Sequence, residues 1–268
     1  MPHLNAFLFL LLLSPNAAAP DLPEQGFHDM YNLSFGSAHQ SFEHWEKLNP
    51  GNPLGPVFDA AAYLFSEFDR LKILQSEFFV NDRGYLNRKR ETPSPQVKKD
   101  FERALAESKK LSESRLLQSP KDEDALFANV LRLGLHADYL ALIEKQNLAA
   151  LREIRQATDD AEALLRLYPT CYDAYIAGGI ENYLLSQKPA PVRWLLQVTG
   201  AQTDRDTGIA KLKLTASKGH YLQPYAELLL AVAALRDKNS TEARRLLLDL
   251  AQRFPLNPLY RQELNQIN

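Results

Sequence analysis

The sequence predicts an all-α fold, and three observations support that prediction. Apolar residues recur at helical spacing in several segments, most clearly in 240–254, where they include Ala243, Leu246, Leu247 and Leu250, one face of an α-helix. No segment shows a convincing alternation of apolar and polar residues, and no Asn-Gly or Asp-Gly turn joins two such runs. The 11 glycines are about 4% of the chain, below the usual ~7% and unlike a turn-rich β protein.

Three earlier segments read as helices. Gly36–Leu48 and Val57–Leu74 carry apolar residues at helical spacing, and Val97–Leu117 is helical in pattern but mostly polar. A polar stretch at 81–96 separates the last two and contains a basic cluster together with Gly84 and two prolines. A loop of that length within a compact domain is either functional or mobile.

The middle of the chain predicts three more helices. Asp124–Ile143 is apolar nearly all round, so we expect other helices to cover it on several sides. Leu148–Tyr168 is amphipathic and stops before Pro169, and Tyr172–Leu185 is again apolar. The pair Gly178-Gly179 within the last segment favours close helix-helix packing, with a helix break as the alternative.

The last third predicts an antiparallel hairpin with a helix on each side. Gly208–Ser217 is a short amphipathic helix that Asp206 or Thr207 can cap. Tyr225–Leu235 is apolar, and the polar turn after it leads into the helix at 240–254, for which we predict Ser240 as the cap. A final helix is predicted at Leu259–Ile267, where its polar outer face would close the array.

The amino-acid composition excludes several classes of protein. Lys and Arg number 31 and Asp and Glu 33, a net charge of −2, so no bulk electrostatic force draws this chain to nucleic acid or to an anionic membrane. We therefore expect no nucleic-acid partner. The hydrophobic share of 45% can fill a core, which excludes a wholly disordered chain. The single cysteine, Cys171, allows neither an intrachain disulfide nor a cysteine metal cluster.

The first nineteen residues have the pattern of a secretory signal peptide. An almost unbroken apolar run at 4–13 is followed by a proline and then by three alanines, which matches a hydrophobic core, a helix breaker and a small-residue cleavage site. The run is shorter than the roughly 20 apolar residues that a membrane span needs. We predict a signal peptide at 1–19 and a helical-repeat domain at 20–268, with no stable membrane span in the mature chain. The protein would then act in the periplasm or be secreted.

A spacing repeats along the predicted helices. A small residue is followed by a bulky residue four positions later, a second bulky residue three after that, and a proline five further on. Ser108 and Pro120 keep the spacing, but Ser112 and Arg115 between them are poor matches. The steps from Pro50 to Pro120 to Pro169 to Pro255 are 70, 49 and 86 residues, against about 34 in a regular array. The sets that follow the spacing, the third with a weak second position, are Ala38, Phe42, Trp45 and Pro50; Ala243, Leu247, Leu250 and Pro255; and Ala157, Ala161, Leu164 and Pro169.

This spacing resembles tetratricopeptide (TPR) repeats, over most of 27–268 but irregularly. The segment 208–258 is most similar to the terminal repeats of exported bacterial TPR proteins, and it also resembles the ending of a eukaryotic TPR family. The resemblance implies a right-handed superhelix of antiparallel helical hairpins. It also implies a non-enzymatic scaffold that binds a peptide segment or partner protein on its concave face. The residues that the TPR pattern places on that face are Phe127, Leu131, Asp173, Ile176, Ile180, Tyr183, Tyr225 and Leu228.

Motifs for chemistry are few. The sequence has no GxSxG, GxxxxGK[ST], GxGxxG or HExxH, and we expect no catalytic residue, no metal and no cofactor. Two alternatives to the binding scaffold stay open. The protein could be a structural component of a cell-envelope assembly, with the loop at 81–96 as a contact. A helical-repeat enzyme centred on Cys171 or on Asp204 and Asp206 is the other alternative.

Overall fold

The fold consists of helices wherever the structure describes the chain. The computed structural model describes residues 21–74, 92–187 and 203–267, and within these ranges it is 81% helix with no strand. The predicted signal peptide and most of the polar stretch at 81–96 lie outside the described residues. The described α-helices are α1 (Leu22–Tyr31), α2 (Phe35–Leu48), α3 (Leu54–Arg70), α4 (Pro95–Gln118), α5 (Glu123–Asp138), α6 (Asn147–Leu167), α7 (Tyr175–Ser186), α8 (Arg205–Lys218), α9 (Gln223–Arg236), α10 (Ser240–Arg253) and α11 (Pro258–Gln266).

The helices pack in neighbouring pairs along the chain. The closest pairs are α1 with α2, α3 with α4, α5 with α6, α7 with α8, and α9 with α10, and each pair also packs against the first helix of the next. The helix α11 packs on α10, and α3 additionally contacts α5. The ten helices predicted from the sequence are therefore present, and an all-α fold is confirmed.

The helix ends differ from the prediction in three places. Asn239 rather than Ser240 caps α10, because its Oδ1 accepts the backbone N–H of Glu242 at 3.1 Å. Asp204 rather than Asp206 or Thr207 caps α8, because its Oδ1 accepts the Thr207 N–H at 2.8 Å. The apolar segment predicted at 124–143 ends as an α-helix at Asp138 and continues as one turn of π-helix, Tyr139–Glu144.

The small residues of the repeated spacing lie at buried positions on the second helix of a pair. Ala38 on α2 and Ala243 on α10 have no exposed surface, and Ala157 on α6 is almost as buried. Ser108 holds the same place on α4, where its buried hydroxyl donates to the carbonyl of Pro53 at 2.9 Å. A side chain of this size permits close approach of the first helix.

The helix α1 was not predicted, and it connects the beginning of the described chain to its end. Asn257 Nδ2 donates to the carbonyl of Tyr31 at 3.0 Å, and the N–H of Leu256 donates to Asn32 Oδ1 at 3.0 Å. The Tyr31 hydroxyl donates to the carbonyl of Tyr221, also at 3.0 Å. The helical array is thus closed by contacts between its first and last units.

Close packing at the glycine pair of α7 is confirmed. The helix is continuous through Gly178 and Gly179, and a Cβ added at Gly179 would lie 3.0 Å from the side chain of Leu212 on α8. The approach is closest at Gly208 on α8, where a Cβ would lie 2.6 Å from the backbone nitrogen of Tyr183. Backbone cannot move aside as the end of a side chain can, so these two helices depend on glycine at their crossing.

Two alanine substitutions at glycines should therefore have opposite effects. We expect Gly208→Ala to lower the free energy of unfolding by roughly 1–3 kcal/mol, because α8 must move away from α7. Gly134→Ala on α5 should raise it by about 0.5–1 kcal/mol, because alanine favours a helix interior and a Cβ there would meet no atom within 4 Å. Urea unfolding of both variants measures the two values, and equal effects would contradict the packing described.

The most apolar described helix lies inside the array. Among the described residues, only Glu123–Glu144 is long and apolar enough to cross a membrane by length and composition. Here that segment, which is α5 with its π-helical turn, packs against α3, α4 and α6. Its apolar surface is used in these contacts and in the wall of a cavity.

Candidate functional site

An apolar cavity of about 80 Å³ lies among the inner helices. Its walls come from α1, α3, α5, α6, α7 and α9, so units distant in sequence meet around it. The aromatic part of the wall is formed by Phe27 and Tyr31 of α1, Phe58 and Phe65 of α3, and Tyr225 of α9. A wall that is mostly apolar with a few convergent polar groups is typical of a ligand site.

One face of α5 supplies the part of the wall that carries the polar group. Leu131, Gly134, Leu135 and Asp138 are spaced three, four and seven residues apart, so they lie on one side of the helix and all line the cavity. Gly134 has no side chain, and a Cβ there would meet only open space. The space beside Gly134 is therefore part of the cavity.

Asp138 is the one charged residue in the described lining of this cavity. Its Oδ2 accepts a hydrogen bond from the Tyr225 hydroxyl at 3.3 Å, and no Lys, Arg or His among the described residues forms an ion pair with it. Burial raises the pKa of the Asp138 carboxyl from 3.8 to about 7. The side chain retains accessible surface because it borders the cavity, yet protein surrounds the carboxyl closely enough to desolvate it.

Tyr225 and Tyr31 complete the polar side of the wall. Burial raises the pKa of both phenols well above the ordinary value of 10.0, and for Tyr225 the Asp138 charge acts in the same direction. Both hydroxyls are therefore protonated donors at neutral pH. Tyr31 donates to a backbone carbonyl, so Tyr225 is the phenol that faces Asp138.

The raised pKa of Asp138 predicts a pH-dependent stability. The folded state holds the proton more tightly than the unfolded chain, whose carboxyl titrates near 3.8. The contribution of this group to stability is therefore complete below pH 4 and is lost as the pH rises to about 7. Asp138→Asn keeps the shape and cannot ionise, so it should gain on the order of 4 kcal/mol over the wild type above pH 7. Unfolding free energies at about pH 3.5 and about pH 7.5, each roughly half a unit beyond an end of the window, check this, and a constant difference would contradict it.

Four of the eight residues that the TPR resemblance placed on a concave face line this cavity. Leu131, Ile176, Ile180 and Tyr225 come from α5, α7 and α9 and meet there. Leu228 borders a second cavity, of about 30 Å³, which shares Tyr225 with the first. The structure thus brings these five residues together around one apolar interior.

The other three predicted residues lie outside the cavity. Phe127 and Tyr183 are buried side chains, and the Tyr183 hydroxyl has no hydrogen-bond partner among the described residues. Asp173 is buried, and its carboxylate accepts the backbone N–H groups of the three residues 220–222 at 3.0–3.1 Å. Asp173 therefore holds the connection between α8 and α9 in place.

Sequence reasoning missed Asp138, Gly134 and all of α1. The signal for Asp138 was available, since a carboxylate seven residues after Leu131 lies on the apolar face of an apolar helix. Phe27, Met30 and Tyr31 have helical spacing too, but the run is too short to stand out.

The residues considered for catalysis are placed unfavourably for it. Burial raises the pKa of the Cys171 thiol to about 12, whereas a nucleophilic thiol needs a lowered pKa. Asp204 caps α8, and the side chain of Asp206 is 97% exposed. The described residues that come together as possible metal ligands are Asp21, Glu24 and His220, with ligand atoms within 4.8 Å of one another, and all three are exposed.

The comparisons with known proteins give no relative. No protein-family model, curated protein or solved structure matches this chain.

Proposed function

We propose that this protein is a non-enzymatic binding protein of the TPR type, a right-handed superhelix of antiparallel hairpins that acts in an exported compartment. Its partner would be a polypeptide, and the cavity would take an apolar side chain of that partner. The observation that carries the proposal is the cavity itself, where inner faces of six helices converge on one apolar space with a polar group at its wall.

The size of the cavity supports a side chain as the guest. An engineered apolar cavity of ~150 Å³ holds one benzene molecule, and the present cavity of about 80 Å³ is roughly half as large. A whole peptide segment does not fit within such a space. Phe127, Asp173, Ile176 and Tyr183 are buried, so a partner would reach the interior with one projecting side chain rather than along an open groove.

Several wall residues keep accessible surface and could meet such a guest. Leu131, Ile180 and Tyr225 are only half-buried. Apolar anchors of this kind in a desolvated pocket carry most of the binding energy in protein interfaces. The polar rim would be supplied by the surrounding helices.

Site-specific crosslinking in the producing cell tests the proposal. A small diazirine amino acid at Leu131 should crosslink to one discrete polypeptide, and filling the cavity with Gly134→Leu should abolish that product. The matched control is the same diazirine at Leu117 on α4, whose side chain is 86% exposed. Identical products from the two positions, or a product that survives Gly134→Leu, would refute the proposal.

A further inference from the structure

The geometry points to an aliphatic primary ammonium group as the guest of the central cavity, with Asp138 as its counter-ion and the apolar walls around its methylene chain. The inference rests on the proposed binding function and names the chemistry that the site selects. A lysine side chain of a partner or a free alkylamine offers this group, and the experiment below separates the two sources.

The Asp138 carboxyl has no counter-ion in the described wall of the cavity. A carboxylate next to apolar walls is costly unless a cation or several donors satisfy it. Asp138 receives a single hydrogen bond, from the Tyr225 hydroxyl at 3.3 Å, and no cationic side chain of the described residues lines the cavity. An ammonium group entering the cavity would supply both the missing charge and three donors.

The charge of the cavity wall disfavours other head groups. A guest with a carboxylate or phosphate would bring a second negative charge to Asp138, and no basic side chain of the described lining would offset it. An alcohol can hydrogen-bond but leaves the charge uncompensated. A guanidinium is planar and suits bidentate sites with more acceptors, whereas this wall offers one carboxylate.

The apolar walls near Asp138 suit an aliphatic chain behind the ammonium group. Leu131, Leu135, Ile176 and Ile180 contribute aliphatic surface near Asp138, and Gly134 leaves space beside it. A short unbranched methylene chain, flexible enough to follow an irregular wall, would remove this surface from water. Lysine has such a chain between its backbone and its ammonium group.

Proton linkage gives the inference a distinct readout. The titratable residues in the described lining are Asp138, Tyr31 and Tyr225, and the two phenols stay protonated at neutral pH because burial raises the pKa of each. An alkylammonium remains charged up to about pH 10. Only Asp138 then changes charge near neutrality, so ammonium binding should tighten by at least about tenfold between pH 5.5 and 8.5.

The test is an NMR titration of the purified protein with n-propylamine and with 1-propanol, followed at the amide of Gly134. We expect the amine to bind more tightly than the alcohol, with the pH dependence just given for the amine alone. Asp138→Asn should weaken amine binding at least about tenfold and leave the alcohol unchanged. Gly134→Leu should abolish binding of both, and Ala177→Leu, which also projects into the cavity, serves if that variant does not fold.

Three results would overturn the inference: no binding of the amine, equal binding of amine and alcohol, or amine binding that Asp138→Asn leaves intact. A second titration tests whether the ammonium group comes from a partner's lysine or from a free alkylamine. It compares the binding of N-acetyl-lysine methylamide with that of its norleucine analogue, which lacks the ammonium group. If the lysine compound binds and its norleucine analogue does not, the guest is the lysine side chain of a partner. Binding of n-propylamine without the lysine compound retains the ammonium site and counts against a polypeptide partner, so the two proposals fail separately.

Discussion

Replacing Asp173 by alanine is expected to lower the free energy of unfolding by at least about 3 kcal/mol. The buried carboxylate accepts three successive backbone N–H groups, those of His220, Tyr221 and Leu222. Alanine leaves these donors without an acceptor, and each unsatisfied buried group costs about 1–3 kcal/mol. Chemical denaturation followed by circular dichroism measures the loss.

A second aspartate provides the matched control for this prediction. Asp204 is an exposed helix cap that accepts the N–H of Thr207, so Asp204→Ala should cost clearly less than Asp173→Ala. Asp173→Asn retains one acceptor oxygen and should fall between the two alanine variants. If Asp173→Ala were no more destabilising than Asp204→Ala, the connection between α8 and α9 would not depend on this carboxylate.

Phe58→Ala should destabilise the protein by about 3–5 kcal/mol. The ring is 1% exposed and packs against Phe27 and Tyr221, with centroid distances of 4.9 Å in both cases. Phe58 of α3 therefore contacts both α1, through Phe27, and the connection between α8 and α9, through Tyr221. Deleting it leaves a cavity and removes aromatic contacts at once.

Hydrogen exchange can show whether the loss spreads as this packing predicts. Amides of α1 should lose protection in Phe58→Ala more than amides of α10, since the Phe58 ring packs directly on Phe27 of α1. Leu117→Ala, at a side chain that is 86% exposed, should stay within about 0.5 kcal/mol of the wild type. A comparable effect at Leu117, or uniform loss of protection, would contradict this role of Phe58.

The helices of this fold were predictable because their apolar residues repeat over ten or more positions. Even so, the caps of α8 and α10 were displaced by one or more residues, since Asp, Asn, Ser and Thr compete as neighbours for the same backbone donors. The helix α1 is only ten residues long and includes Pro23 and Gly26. Such a helix is marginal in isolation and is stabilised by tertiary contacts, which local periodicity does not reveal.

Residues of the candidate site were predictable from the sequence only where the face of a single helix identifies them. The TPR pattern assigns inward-facing positions one helix at a time, and it therefore identified Leu131, Ile176 and Ile180. The hydrogen bond between Asp138 and Tyr225 joins residues 87 positions apart, and the role of Asp173 depends on a connection some 47 positions later. Relations of this kind depend on how the units close on each other, which spacing within a unit does not determine.

The contacts between α1 and the last units also determine the order in which this protein can fold. Hydrogen bonds among these contacts join residues 224 and 226 positions apart, so α1 is synthesised well before these partners and until then can pack only on α2 and α3. Until then the Tyr31 ring, which packs on Phe254 in the folded protein, remains open to improper association. Non-local contacts of this span form slowly because loop closure must precede them. Formation of the contacts between α1 and the last units should accordingly be the final folding event, and a chain truncated before residue 254 would lack the hydrogen bonds of Leu256 and Asn257 to α1 and the residue that follows it.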